Sequence, residues 1–217
     1  MDYWHIINRG VDKRTVFKEG KDFLRFIRSM YFFNDSKYMD STTQRDIRSG
    51  KTTLLCDRNM LVNIHTYCLM KNHYHMFLSA VDNEKSNISL FMKKLNKGYS
   101  QAFNKKYNRS GALWQSKYKK IHINSDAHFQ HIPTYIHCNP LDEWAPEWRQ
   151  GQLNDPGHAF EKLRSYRWSS FQDYIGIKNF PSVLHTLDIP LTKTKHELLK
   201  KLGNRSMFEM HKISHSK

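Results

Sequence analysis

Apolar positions along this chain alternate between the two-residue period of a strand and the three-to-four-residue period of a helix. Residues 3–8 (Tyr-Trp-His-Ile-Ile-Asn) predict a short strand that stops at Arg9-Gly10. Residues 20–34 carry Phe23, Phe26, Ile27, Met30 and Phe33 at helical spacing. Two further strands are expected at 61–70 and 73–81, joined by Lys71-Asn72. Leu61–Met70 is rich in β-branched and aromatic residues, and Met76-Phe77-Leu78 continues the apolar run. Ile88, Phe91, Leu95, Tyr99 and Phe103 trace a long amphipathic helix over 88–108, with Asn87 or Ser89 as its cap. Gly98 weakens that helix by about 1 kcal/mol without ending it. After a turn at 108–111 come a strand at 114–123 and a helix starting near Ser125.

The order strand, helix, strand, strand, helix, strand, helix suits a split βαβ arrangement. This is an α+β chain in which one antiparallel sheet carries helices on a single face. Residues 35–59 are polar and without periodicity, and read as an exposed insertion. Within it Gly50-Lys51-Thr52 has the ending of a phosphate-binding loop, but the first glycine would fall at Arg45, so the match fails. The expected organisation is a domain over 1–140 interrupted by that insertion. Residues 141–217 then form an extension bearing Trp144, Trp148 and Trp168, followed by a basic tail.

Charge narrows the choice of partner. Thirty-five Lys and Arg against 20 Asp and Glu give a formal net charge of +15, which favours a polyanion. No apolar run reaches the roughly 20 residues of a spanning helix, so nucleic acid is preferred to membrane. Cys56, Cys68 and Cys138 are odd in number and lack a C-x-x-C pair, which points to a reducing compartment and a cytosolic protein. The excess is concentrated. Lys93, Lys94, Lys97, Lys105, Lys106, Arg109, Lys117, Lys119 and Lys120 fall between Ile88 and His122 with no acid among them. Tyr99, Tyr107, Trp114 and Tyr118 are interleaved with these cations, and aromatic faces stack on unpaired bases.

Two short motifs carry candidate chemistry. In His73-Tyr74-His75 the alternation of a strand sends both imidazoles to one face and Tyr74 to the other. Such a pair holds a divalent ion if a third ligand arrives from elsewhere, and fits equally two structural strand histidines. In Tyr135-Ile136-His137-Cys138-Asn139-Pro140 the phenol and the amide lie one helical turn apart. They suit a nucleophile and a metal ligand, or a packing tyrosine before an Asn-Pro helix stop. Pro133 either kinks this helix or starts it, and Pro140 is expected to push Asn139 out of the α region. Tyr99, on the basic helix, is the rival nucleophile. His128, His131, His137 and Cys138 share no clean helical face and match no zinc spacing, and no nucleophile-elbow motif accompanies the 13 histidines.

Five ordered segments resemble the REP-associated tyrosine transposases, members of the HUH single-strand endonucleases related to single-tyrosine insertion-sequence transposases. They are Trp4-His5-Ile6-Ile7-Asn8-Arg9-Gly10, Tyr67 through His75, Gly111-Ala112-Leu113-Trp114-Gln115, Tyr135 through Pro140, and Arg167-Trp168-Ser169-Ser170-Phe171. The resemblance implies a ferredoxin-like sheet and a divalent metal, Mg2+ or Mn2+, on His73, His75 and Asn139. It implies Tyr135 as the nucleophile that forms a 5′-phosphotyrosine link. Its substrates are imperfect single-stranded DNA hairpins, contacted by Arg9, Trp114 and the lysines and arginine of the basic stretch. Lys71 stands where the family often has proline, and Pro133 intrudes before the tyrosine. The insertion and the tail beyond 180 fall outside the pattern. A domesticated protein that binds hairpins without cutting them is the alternative, and an RNA-binding regulator a third reading that lacks the aromatic RNP pattern. Mobile relatives act as dimers exchanging a tyrosine helix while the REP-associated group tends to act as monomers, so oligomeric state stays open.

Overall fold

Both sheet faces are buried, and that governs the architecture. The computed structural model describes residues 1–37 and 58–186. Most of the expected insertion, with Cys56 and Gly50-Lys51-Thr52, and the tail past 186 lie outside the described residues. The elements run β1 (Tyr3–Arg9), α1 (Gly20–Phe33), β2 (Val62–Met70), β3 (His73–Ala80), α2 (Lys85–Lys106), β4 (Lys119–Ile123) and α3 (Asp126–Cys138). Two 3-10 turns, Asn139–Glu143 and Pro146–Gln150, lead to α4 (Pro156–Ser165) and the single turn α5 (Phe171–Tyr174). The four strands form one antiparallel sheet in the order β2-β3-β1-β4. β1 sits between β3 and β4, which is the split βαβ order expected from the pattern.

Two boundaries differ from the expectation, and so does the geometry at the end of α3. α2 begins earlier, because the Glu84 carboxylate accepts the Ser86 N–H and so caps it. β4 is shorter than 114–123, since only a Gly10–Trp114 bridge pairs before Lys119. α3 is capped by Ser125, whose hydroxyl accepts the His128 N–H, and runs through Pro133. At its end Asn139 keeps α geometry (φ −51°, ψ −37°) despite Pro140. Its amide donates to the carbonyls of Tyr135 (2.9 Å) and Ile136 (3.3 Å), two of the acceptors a helix end leaves open.

On one face α1 and α2 pack as expected. Ile6, Tyr74, Met76 and Leu78 of the sheet meet Phe26, Ile27 and Met30 of α1 and Phe91, Leu95 and Tyr99 of α2. Gly98 is where the two helices touch: a Cβ there would lie 2.5 Å from the Phe33 ring. The opposite face is not left open, and the helices are not confined to a single face. Cys68, Met70 and Phe77 are covered by Ile132, Tyr135 and Ile136 of α3 and by Leu141, Trp148, Leu163 and Phe171 beyond it. The reason is visible in the strands: β2 and β3 are buried at every position, so both faces require cover.

The extension also closes an edge. Leu69 N–H donates to Trp168 O (2.9 Å), Ser170 N–H to Tyr67 O (3.0 Å), and Tyr67 N–H to the Ser170 hydroxyl (3.0 Å). β2 is one outer strand and β4 the other, so residues 124–167 cross the second face from edge to edge. Among the described residues no helix is long and apolar enough to cross a membrane.

Candidate active site

The strand alternation places His73 and His75 together on the second face, with ring centroids 5.1 Å apart. Tyr74 points the other way, into the first core, and gives its hydroxyl to Asn96 Oδ1 at 2.8 Å. β1 adds a residue the motif reading missed. His5 lies stacked on His75 (centroids 5.2 Å), with His5 Nε2 2.9 Å from His75 Nδ1. The signal was in the sequence, since His5 alternates with Trp4 and Ile6, but a lone histidine on a strand gave no reason to choose it.

α3 brings Tyr135 over this group. Its ring meets His5 edge-on at 6.0 Å and His75 at 5.9 Å, with Trp148 at 5.8 Å on another side. Tyr135 is 6% exposed. Burial pushes its phenol up to about 12, against the opposing charge of Arg149. Arg149 Nη1 donates to the phenol oxygen at 3.2 Å and Nη2 to Asn139 Oδ1 at 3.3 Å. The Asp142 carboxylate accepts from Arg149 Nε (2.7 Å) and Nη2 (2.6 Å), and from Trp148 Nε1 (2.8 Å). Asp142 and Arg149 were also missed. Their only sequence signal was an acid and a base within 14 residues of the tyrosine.

The histidines suit a metal by tautomer. His73 Nδ1 meets Asn72 Oδ1 at 2.6 Å, while the amide nitrogen of Asn72 donates to Lys13 O, so Asn72 offers an acceptor. Nδ1 then carries the proton and Nε2 the lone pair, the form in which an imidazole ligates and its second nitrogen is held by an outer partner. His75 takes the same form when its Nδ1 is the donor of the 2.9 Å contact with His5 Nε2. Two imidazoles suit Mn2+ better than Mg2+, which prefers all-oxygen shells. Asn139 fits less directly, because its oxygen faces a guanidinium. Among the described residues no group of three or more His, Cys, Asp and Glu is placed to hold a metal.

The rival nucleophile is elsewhere. Tyr99 belongs to the first core, on the far face of the sheet, and donates its hydroxyl to Val16 O at 2.6 Å. Burial pushes its phenol well up. The basic residues divide. Lys93, Lys97, Lys105, Lys117 and Lys119 are exposed. Lys93, Lys97 and Lys117 rim a cleft of about 510 Å³ between α2 and the loop 111–118. Arg9, at the end of β1, is half-buried. Four others have intramolecular work. Lys106 pairs with Glu19 and Asp22, Arg109 donates to Asn104 and Ala112 O, Lys94 donates to Asp35 O, and Lys120 lies over the Trp4 ring. Trp114 is a core residue rather than a stacking platform, in ring contact with Phe26, Tyr74 and Tyr99.

Comparison with curated proteins yields no match. Among solved structures the chain is similar to one described as a REP-associated tyrosine transposase bound to a REP hairpin. The identity is 13%, the TM-score 0.45, and 88% of each chain is covered. The family described as IS200-like transposases matches residues 34–139, a stretch containing His73, His75, Tyr135 and Asn139.

Proposed function

We propose that this chain is a metal-assisted single-strand DNA endonuclease and strand transferase of the REP-associated kind, acting on hairpin-forming DNA through Tyr135. The observation that carries the reading is the ring contact of Tyr135 with His75, whose neighbour His73 lies on the same face. Tyr135 Oη attacks the scissile phosphorus, and its proton passes to solvent. The new Tyr–O–P bond replaces the P–O3′ bond, and the departing 3′ oxygen takes a proton. The product is a 5′-phosphotyrosine and a free 3′-hydroxyl. A second strand's 3′-hydroxyl reverses the step, and because the phosphodiester energy is retained in the link, no ATP is needed. His73 and His75 would hold the divalent cation, with Asn139 as third ligand. When bound it polarises a phosphate oxygen and offsets charge in the transition state. The exposed lysines of α2 and of the loop 111–118 supply backbone contacts.

The test is incubation with a single strand that folds into an imperfect hairpin, with and without Mn2+. A denaturant-resistant protein–DNA adduct is expected with the metal. It should vanish in Tyr135→Phe and persist in Tyr99→Phe; the reverse pattern would overturn the nucleophile assignment. Burial of Tyr135 favours a second reading, hairpin binding without cleavage. That reading predicts salt-sensitive binding indifferent to chelator and to His73→Ala, with no adduct.

A further inference from the structure

We propose that Arg149 aims the nucleophile, fixing the Tyr135 hydroxyl and the Asn139 carboxamide as one unit, and that Asp142 is the positioning residue that holds Arg149. This rests on the cleavage reading above. An arginine side chain offers donors only. The phenol oxygen therefore uses a lone pair on Arg149 Nη1, and its own O–H points away from the guanidinium. The same guanidinium reaches Asn139 Oδ1 through Nη2. Because the amide nitrogen of Asn139 is committed to the carbonyls of Tyr135 and Ile136, its oxygen is the end turned toward Arg149. One planar cation thus sets both groups that the family resemblance places at the reacting phosphate.

The cation is itself held in place. Asp142 grips Nε and Nη2 side-on, a two-point geometry that lysine does not reproduce, and Trp148 Nε1 steadies the carboxylate from behind. The two side chains are 26% and 29% exposed. An ion pair this sheltered is weak evidence for stability, because losing water costs nearly what the attraction returns. What it supplies is direction. A misplacement of about 1 Å at a reacting group costs on the order of a hundredfold in rate.

The experiment measures adduct formation in a single turnover at saturating hairpin DNA, alongside hairpin affinity and thermal unfolding. It uses the full chain and the variants Arg149→Ala, Arg149→Lys and Asp142→Asn. Arg149→Ala is expected to slow the adduct by about a hundredfold, with affinity nearly unchanged and partial recovery on adding guanidinium ion below denaturing concentration. Arg149→Lys should fall between, and Asp142→Asn should lose rate in the same direction. An unchanged rate in Arg149→Ala would overturn the assignment. So would a loss that follows affinity or unfolding and does not respond to guanidinium. Should the unsubstituted chain bind the hairpin and form no adduct, the cleavage reading falls and takes this one with it. Cleavage at the unsubstituted rate in Arg149→Ala overturns the Arg149 role alone.

Discussion

Replacing Asp22 with alanine tests whether one buried carboxylate ties together the two helices beneath the basic face. Asp22 is 3% exposed and takes four donors. The N–H groups of Lys18 (2.9 Å) and Glu19 (3.2 Å) come from the start of α1, and the Tyr107 hydroxyl (2.7 Å) and Lys106 ammonium from the end of α2. Lys106 is 36% exposed, so its pairing is discounted to about 1 kcal/mol, the level of a surface pair. Loss of the helix cap adds about 1 kcal/mol, and the Tyr107 bond to a charged acceptor about 1.5 kcal/mol. The expected loss is therefore about 3–4 kcal/mol near neutral pH. Burial pushes the Asp22 carboxyl up, but the bonds from Lys106, Tyr107 and the two amides outweigh it and leave the group below its usual 3.8. A carboxylate depressed in the folded state contributes fully above its unfolded pKa of about 3.9, and the contribution is lost as pH falls through the folded value. Urea unfolding followed by tryptophan fluorescence should show a constant gap between the chain and Asp22→Ala from pH 7 to about 5, narrowing below about 4. A gap below about 1 kcal/mol at neutral pH, or one that does not narrow in acid, would refute the reasoning.

Three other substitutions separate exposed cations from committed ones and test a helix contact. Lys97→Ala should weaken hairpin binding and lower the slope of log affinity against log salt by about one. Lys106→Met should leave that slope unchanged while lowering stability, and equal slopes for the two variants would sink the division of the basic stretch. Gly98→Ala gains about 1 kcal/mol of helix propensity but forces a methyl into the Phe33 ring, an overpacking cost of about 1–3 kcal/mol. The melting temperature should fall, and a rise would show that the half-buried Phe33 ring swings aside.

Much of this was legible in the sequence because the period of apolar residues reports elements directly. The seven expected elements occur in the expected order, and His73, Tyr74 and His75 point where strand alternation sends them. The capping of α2 by Glu84 was hidden because the apolar repeat starts after the helix does. Cover on both faces was harder to see, since near-continuous apolar runs such as Leu61–Met70 name no partner layer. The charge count does not separate exposed cations from those paired within the fold. Composition does not distinguish Lys97 at the surface from Lys106 above Asp22, nor does it show Trp114 inside the core. His5, Asp142 and Arg149 were passed over for a different reason: each meets partners close in space but 7 to 70 residues away along the chain, and no local spacing singles them out.

Stitching both ends of residues 124–167 to opposite margins of one sheet has a consequence for assembly. The tyrosine helix is a strap buckled at each side, at Ile123 on β4 and at Trp168–Ser170 on β2. Lending that helix to a second copy would mean unfastening the β2 buckle and baring an edge strand whose amides then seek any passing chain. Phenol and histidines here belong to a single polypeptide, so one molecule brings Tyr135, His73 and His75 together in cis.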